Sequence, residues 1–284
     1  MGLKERRSAL YFVRRVKKMS NFFIDLGTGV IQWYLIVIAA AGAYFLGNVN
    51  PAIIIGRAKG VDIRTQGSGN AGATNALRSL GKKAGVLTFV IDVAKGWAGY
   101  YIPLLVFLSI SLRDEAIMSG MVSSQSAAAD AAYIAWNTAA LPPAMLCGLC
   151  VVLGHMYPAV FGFRGGKGVS TAFGVLLAAS PLFALVLLAV VVVFTAIFRR
   201  VSLSVMIAVA VALVLVFWGG YFLQENLIYY VGFIRFSVFD PLWIIIILAL
   251  VVWKHRSNIG RLVKGQEPKL SFGSGKKDKK GNGE

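Results

Sequence analysis

Residues 172–198 contain no charged side chain, and Ser180-Pro181 is their only interruption. Crossing the hydrocarbon core of a bilayer takes about 20 apolar residues as helix. Comparable runs cover about 33–55, 86–111, 143–163 and 201–218, and a shorter one covers about 242–253. Between them lie short polar segments rich in Lys, Arg and Gly. Only 14% of the residues are charged and the mean hydropathy is +0.72, whereas a soluble domain carries roughly 25% charged residues. The chain therefore reads as an all-α, multi-pass membrane protein. Its 284 residues leave little for a separate soluble domain.

The net charge is +17. In a soluble chain this would suggest nucleic acid, but here the basic residues flank apolar runs. Cytoplasmic loops enriched in Lys and Arg are the better account, and no nucleic-acid partner is expected. Phosphate-bearing ligands and anionic lipid headgroups are the next candidates. Cys147 and Cys150 have the spacing of a redox or zinc pair, but they lie inside an apolar run. No second cysteine or histidine pair is near enough to complete a zinc site. They are expected to be buried core residues, with no metal or cofactor.

Residues 1–32 form a basic arm. Lys4, Arg6, Arg7, Arg14, Arg15, Lys17 and Lys18 interleave there with apolar residues, as in an interfacial amphipathic helix. Residues 33–263 hold the membrane domain. Residues 264–284 form a basic tail whose end, GSGKKDKKGNGE, has the composition of a disordered segment. Residues 56–85 are expected to be a polar, basic loop. Placing this loop, Arg164/Lys167 and Arg199-Arg200 on one side requires an even number of crossings between them. So 169–198 should be two short helices bent at Pro181. Two further spans bring the tail back, for about seven membrane helices including re-entrant or half-length pieces, with the motif loops in the cytoplasm. This count leaves the N-terminal arm outside: either it lies flat on the outer leaflet, or an extra re-entrant piece precedes the first span.

Three polar segments carry the chemistry. The first, GSGNAGATNALRSLGKKAG at 67–85, contains Gly67, Gly69 and Gly72, with Asp92 twenty residues later. A dinucleotide fold needs a buried strand before the first glycine and a soluble βαβ unit around it. Here the preceding GVDIRTQ is polar and a membrane span follows, so that reading fails. The glycines still let backbone N–H groups approach an anion. Ser68, Asn70, Thr74 and Asn75 add hydrogen bonds, and the Arg78 guanidinium can fork onto a phosphate. The competing reading is a polar re-entrant loop that satisfies its own backbone.

The second segment, GFRGGKGVST, brackets Lys167 with Gly165, Gly166 and Gly168 at the start of a helix. Ser170 and Thr171 follow. Free N–H groups at a helix N-terminus suit an anion, although a tight turn with a cytoplasmic lysine reads equally well. In the third segment, KHRSNIGRLVKGQEPK, His255, Asn258 and Arg261 share one helix face near Arg256 and Glu267. A juxtamembrane basic helix on lipid headgroups is the plain alternative. Asp92 and Lys95 lie three apart within a span and are expected to form a structural ion pair. His155 is expected to be a satisfied core histidine.

In order and spacing, GSGNAGATNALRSLGKKAG, GHMYPAVFGFRGGKGVSTAFG and HRSNIGRLVKGQEPK resemble the three motifs of the bacterial acyl-phosphate:glycerol-3-phosphate acyltransferase (PlsY) family. DVAKG follows the first motif as in that family, and the match runs from about Leu46 to Lys269. The resemblance implies an enzyme of the bacterial cytoplasmic membrane with its active site facing the cytoplasm. It would move a fatty acyl group from acyl phosphate to the 1-hydroxyl of glycerol 3-phosphate, giving lysophosphatidic acid and phosphate, the first step of phospholipid synthesis. Its partners are these two substrates and the bilayer. The chemistry then implies that Ser68, Asn70, Gly165, Gly166, Gly168, Ser170 and Thr171 hold the acyl phosphate. Arg78, Asn75, His255 and Asn258 would hold glycerol 3-phosphate, with Lys167 bridging phosphate charge and the developing oxyanion. Lys167, His255 and Ser68 are the candidate catalytic residues; Thr74, Asp92, Lys95, Arg256, Arg261 and Glu267 support them. The proton acceptor is His255 or the donor phosphate. The alternative function is a transporter or flippase of a phosphorylated solute or lipid using the same anion sites.

Overall fold

The computed structural model describes residues 33–119, 141–226 and 240–270, and every regular element among them is helical. The order is α1 (residues 33–48), α2 (Pro51–Ala58), α3 (Ala73–Leu80), α4 (Lys82–Ser119), α5 (Leu141–Met156), α6 (Val169–Ala179), α7 (Pro181–Phe198), α8 (Val201–Asn226), α9 (Asp240–Lys254) and α10 (Arg256–Val263). The N-terminal arm, residues 120–140 and the end of the tail lie outside the described residues.

Among these, Trp33–Ala58, Lys82–Ile110, Pro142–Phe161 and Pro181–Phe198 are each long and apolar enough to cross a membrane. Leu242–Lys254 and Arg256–Val263 qualify together as a pair bent by 57°, while Val169–Ala179 and Val201–Phe217 are shorter apolar helices. The run at 172–198 does divide as expected. Ser180 leaves helical geometry at φ −150° and Pro181 starts α7, because a proline ring and its missing N–H end the preceding helix but suit the first turn of the next.

The first two spans keep about their expected extents, as Trp33–Ala58 and Lys82–Ile110. Their helices add detail. The first breaks after 48, and Asn50 caps a second helix by accepting from Ile53 N at 3.1 Å. The second starts at Lys82 and continues as helix through Pro103 to Ser119, as helices in lipid can when neighbours re-satisfy the freed carbonyl. One expectation needs correction: residues 56–85 are not a plain loop, since they fold into the end of α2, a 3-10 turn at Ile63–Thr65 and α3.

The bundle is drawn together at glycines. A Cβ on Gly96 would run into Thr171 O, and one on Gly174 into Val93 O, so α4 and α6 touch backbone to backbone. Gly47 and Gly154 do the same for α1 and α5. Lipid gives no hydrophobic drive for helices to associate, so close packing through small residues supplies it. The core between these helices includes Tyr100, Leu104, Val151, Val175, Ile247 and Val251. Trp33, Val193, Ile197 and Phe217 face outward. Cys147 is buried and Cys150 half-buried; both are free thiols.

The polar segments meet at one end of the bundle. Arg64 Nη1 donates to Phe161 O at 2.9 Å and Leu270 N to Arg199 O at 2.6 Å. Past α10 the chain turns at Gly265 (φ +69°) and lies back across this end as a strap, with Glu267 and Leu270 buried.

Candidate active site

Where the three segments converge, a cleft of about 970 Å³ opens to the surface. Its first wall is the 67–78 segment. Gly67 and Gly69 have φ of +56° and +70°, which a side chain would strain. Asn75 locks the turn: Oδ1 accepts from Ser68 N at 2.9 Å, and Nδ2 donates to Ile63 O and Gln66 O. Ser68, Asn70, Thr74 and Arg78 line the cleft. Arg78 is exposed, with Nη2 3.4 Å from Pro268 O of the strap.

The second wall follows α5. Gly165 N and Gly166 N donate back to Met156 O and His155 O at 3.3 and 3.1 Å, curling the chain over the helix end. A Cβ on Gly166 would collide with the His155 ring and approach Ala71 O within 2.9 Å. Gly168, at φ +79°, then opens α6 with no side-chain cap. Gly168, Val169 and Ser170 line the cleft, so the uncapped N–H groups at this helix start lie beside it. Lys167 is half-buried, and its Nζ is 2.5 Å from Asn258 Oδ1. Burial pushes its ammonium down to about 8, with Arg261, Arg78 and Lys254 acting the same way and Glu267 opposing.

The third wall begins at the bend between α9 and α10. His255 is buried there, and its Nδ1 lies 2.7 Å from Val251 O. A carbonyl only accepts, so Nδ1 carries the proton and Nε2 keeps a bare lone pair. Glu267 returns from the strap to accept from Ser202 Oγ (2.5 Å), Asn258 Nδ2 (2.6 Å) and Arg261 Nε (2.8 Å). Burial works to raise its carboxyl, but these three bonds outweigh it and hold the group below the usual carboxylate range.

An apolar groove of about 640 Å³ adjoins the cleft. It shares Phe89, Val169, Ser170, Val191 and Val205 with it and continues along Leu176, Leu187 and Leu248. One recess thus joins a cationic, N–H-rich chamber to a hydrocarbon-lined trough.

The chain has known relatives. The family model described as glycerol-3-phosphate acyltransferase matches residues 37–265. The chain belongs to this family. Glycerol-3-phosphate acyltransferase from Clostridioides difficile is 37% identical over 82% of this chain and 95% of its own length. The Aquifex aeolicus protein of the same name is 38% identical over 79% and 94%. Among solved structures, the integral membrane glycerol 3-phosphate acyltransferase PlsY (YgiH) in its glycerol 3-phosphate form has 36% identity and a TM-score of 0.61, covering 83% of this chain and 96% of that one. Its lysophosphatidic acid form has 35% identity and a TM-score of 0.59, covering 83% and 95%.

Within this acyltransferase-family site, Ser68, Asn70, Thr74, Asn75, Arg78, Asp92, Lys167, Gly168, Ser170, His255, Asn258, Arg261 and Glu267 all border the cleft. Five other expected residues stand elsewhere. Gly165 and Gly166 lie behind the wall, against the end of α5. Thr171 is fully buried, its hydroxyl without a hydrogen-bond partner among the described residues. Lys95 sits below the floor, with Nζ 2.8 Å from Asp92 Oδ1, as expected of an i, i+3 pair, and also donates to Gly47 O and Val49 O where α1 breaks. Arg256 faces an outer recess of about 600 Å³ shared with Lys254, Ser257 and Lys167. Asn75 borders the cleft, but its amide is used up inside its own turn.

Two wall residues had no sequence signal strong enough to select them. Ser202 follows Arg199-Arg200 in an apolar helix and is recruited only by the returning strap. His155 is buried and paired at Nδ1, as expected of it, and its ring also borders the cleft floor. Gly165 and Gly166 meet it only in the fold.

Proposed function

We propose that the chain transfers a fatty acyl group from acyl phosphate to the 1-hydroxyl of glycerol 3-phosphate, yielding lysophosphatidic acid and phosphate. The observation that carries this reading is the union, at Val169 and Ser170, of a cationic cleft that holds Lys167 and an apolar groove, in a chain of the glycerol-3-phosphate acyltransferase family. Both substrates bear phosphate and one bears a hydrocarbon tail. The tail fits the groove, and the acyl phosphate headgroup fits Ser68, Ser170 and the N–H groups at the start of α6. Glycerol 3-phosphate fits between Arg78, His255 and Asn258.

An acyl phosphate is already a mixed anhydride, so catalysis reduces to placing the hydroxyl and stabilising charge. The bare Nε2 of His255 accepts from the attacking hydroxyl and orients it. The hydroxyl oxygen bonds to the acyl carbon, and the tetrahedral oxyanion forms beside the Lys167 ammonium. The carbon–oxygen bond to phosphate then breaks, and the departing phosphate takes the hydroxyl proton.

We also place the enzyme in the bacterial cytoplasmic membrane as seven crossings, with the site on the cytoplasmic side. The support is the gathering of Arg57, Lys59, Arg64, Lys167, Arg199, Arg200 and Arg261 in the segments at the site end. Counting the bent pair once, the four span-length helices and two shorter ones make up that number. The membrane domain starts near 33 after the basic arm, and the chain beyond 264 stays packed on it as far as Leu270, since Glu267 and Leu270 are buried.

The experiment is direct. Purified protein incubated with acyl phosphate and glycerol 3-phosphate should release phosphate and form lysophosphatidic acid in equal amounts. A transporter or flippase would release none.

A further inference from the structure

Two groups on the cleft floor, Asp92 and His155, take no part in the transfer described above. The His155 ring is buried, with Nδ1 2.9 Å from Lys95 Nζ. An ammonium offers only N–H donors. Lys95 Nζ also lies 2.8 Å from Asp92 Oδ1, and Asp92 Oδ1 is itself within 3.3 Å of the ring nitrogen. The shorter contact favours Nδ1 accepting from Lys95 over Nδ1 donating to Asp92. A neutral imidazole that accepts at Nδ1 carries its proton on Nε2.

That Nε2 points toward Gly166, where a Cβ would strike it. No protein acceptor is bonded to it among the described residues. The ring borders the cleft together with Lys167, Gly168 and Ser170. Nε2 is not one of the buried atoms left without a partner, so this corner of the ring reaches the cleft, where an arriving oxygen can accept from it. His255 presents the opposite face, with its proton on Nδ1 and a bare Nε2. One histidine thus offers the cleft a donor and the other an acceptor.

We propose that His155 is a substrate-binding residue whose Nε2–H donates to a phosphoryl oxygen of the anion held by Lys167 and the start of α6. A neutral donor adds a directed bond beside Asp92 without adding charge to the floor. Lys95 is the positioning residue, since its bond to Nδ1 sets the tautomer. The identity of the anion rests on the proposed acyl transfer; the donor geometry does not.

The chain has two histidines, so the full-length protein labelled with ¹⁵N at histidine in detergent micelles gives two rings, assigned with a His255→Asn sample. One ring should be protonated at Nε2 and the other at Nδ1. Inorganic phosphate should move the protonated Nε2 of His155. Protonation of both rings at Nδ1, or no response at phosphate concentrations that inhibit turnover, overturns the proposal.

Two substitutions add a second readout. In His155→Gln the amide nitrogen reaches the Nε2 position, whereas in His155→Asn it reaches only the Nδ1 position. Phosphate inhibition should stay within about threefold for Gln and weaken at least about tenfold for Asn, the scale of a hydrogen bond to a charged group. Equal behaviour of two folded variants makes His155 merely structural. If neither folds, the wild-type spectrum decides. Failure of the wild-type protein to make lysophosphatidic acid would count against the acyl-transfer reading alone.

Discussion

Lys167 Nζ and Asn258 Oδ1, ninety-one positions apart in the chain, lie 2.5 Å from each other across the mouth of the cleft. The orientation of the asparagine is forced. Its Nδ2 donates to Glu267 Oε1 at 2.6 Å, a carboxylate can only accept, and so Oδ1 must face the lysine. Glu267 sets Asn258, and Asn258 sets the ammonium.

Asn258→Asp should therefore be worse than its small change in shape suggests. It would set two carboxylates in hydrogen-bond contact and remove the donor to Glu267. We expect a loss of at least about tenfold in kcat/KM, the scale of losing a hydrogen bond to a charged group, and a lower melting temperature. Activity within a factor of two of wild type would show that the relay does not position Lys167.

Lys167→Ala should cut turnover by about two to three decades, the scale of removing one preorganised donor from a reacting oxyanion. Melting curves in detergent should show that the variant still folds. Retention of more than half the turnover would reduce Lys167 to a topology charge.

Because burial lowers the Lys167 ammonium to about 8, its charge is present below that pH and lost above it. The kcat/KM of the free enzyme should fall as pH rises through about 8. Bound phosphate favours the charged form, so the same limb in kcat should lie at higher pH. A kcat/KM profile flat from pH 7 to 9.5 would contradict this.

Gly166→Ala tests the backing of the second wall. The new methyl meets the His155 ring and Ala71 O, so either the 165–168 turn or the ring must shift. Overpacking of this kind costs about 1–3 kcal/mol, so both melting temperature and activity should drop. Gly260→Ala is the control, because its Cβ meets nothing within 4 Å.

Donor choice tests the chemistry as a whole. A thioester lacks the phosphate that the start of α6 is placed to receive. Polar sites reject analogues without the matching group by about 10⁴–10⁵. Acyl phosphate should be used, acyl-CoA should be used almost not at all, and inorganic phosphate should compete with the donor. Similar rates with acyl-CoA would remove GGKGVST from the donor site.

Much of this molecule was written in the order of its residues. Apolar runs of span length fix helices, because the lipid interior leaves a backbone no other partner. Ser180-Pro181 fixes a break, because proline cannot continue the helix before it. The glycines around Lys167 announce a tight turn through local backbone freedom alone. The rest needed contacts between segments far apart. Thr171 looked like a ligand beside Ser170, yet the tight α4–α6 crossing at Gly96 and Gly174 turns it inward. Asn75 looked free to bind substrate, yet its amide closes the turn that exposes Ser68. Ser202 and the protonated nitrogen of His155 carry no local mark. Both are decided by which side chain the tertiary fold brings to them, Glu267 in one case and Lys95 in the other. A hydrogen bond has a direction only once both partners are in place.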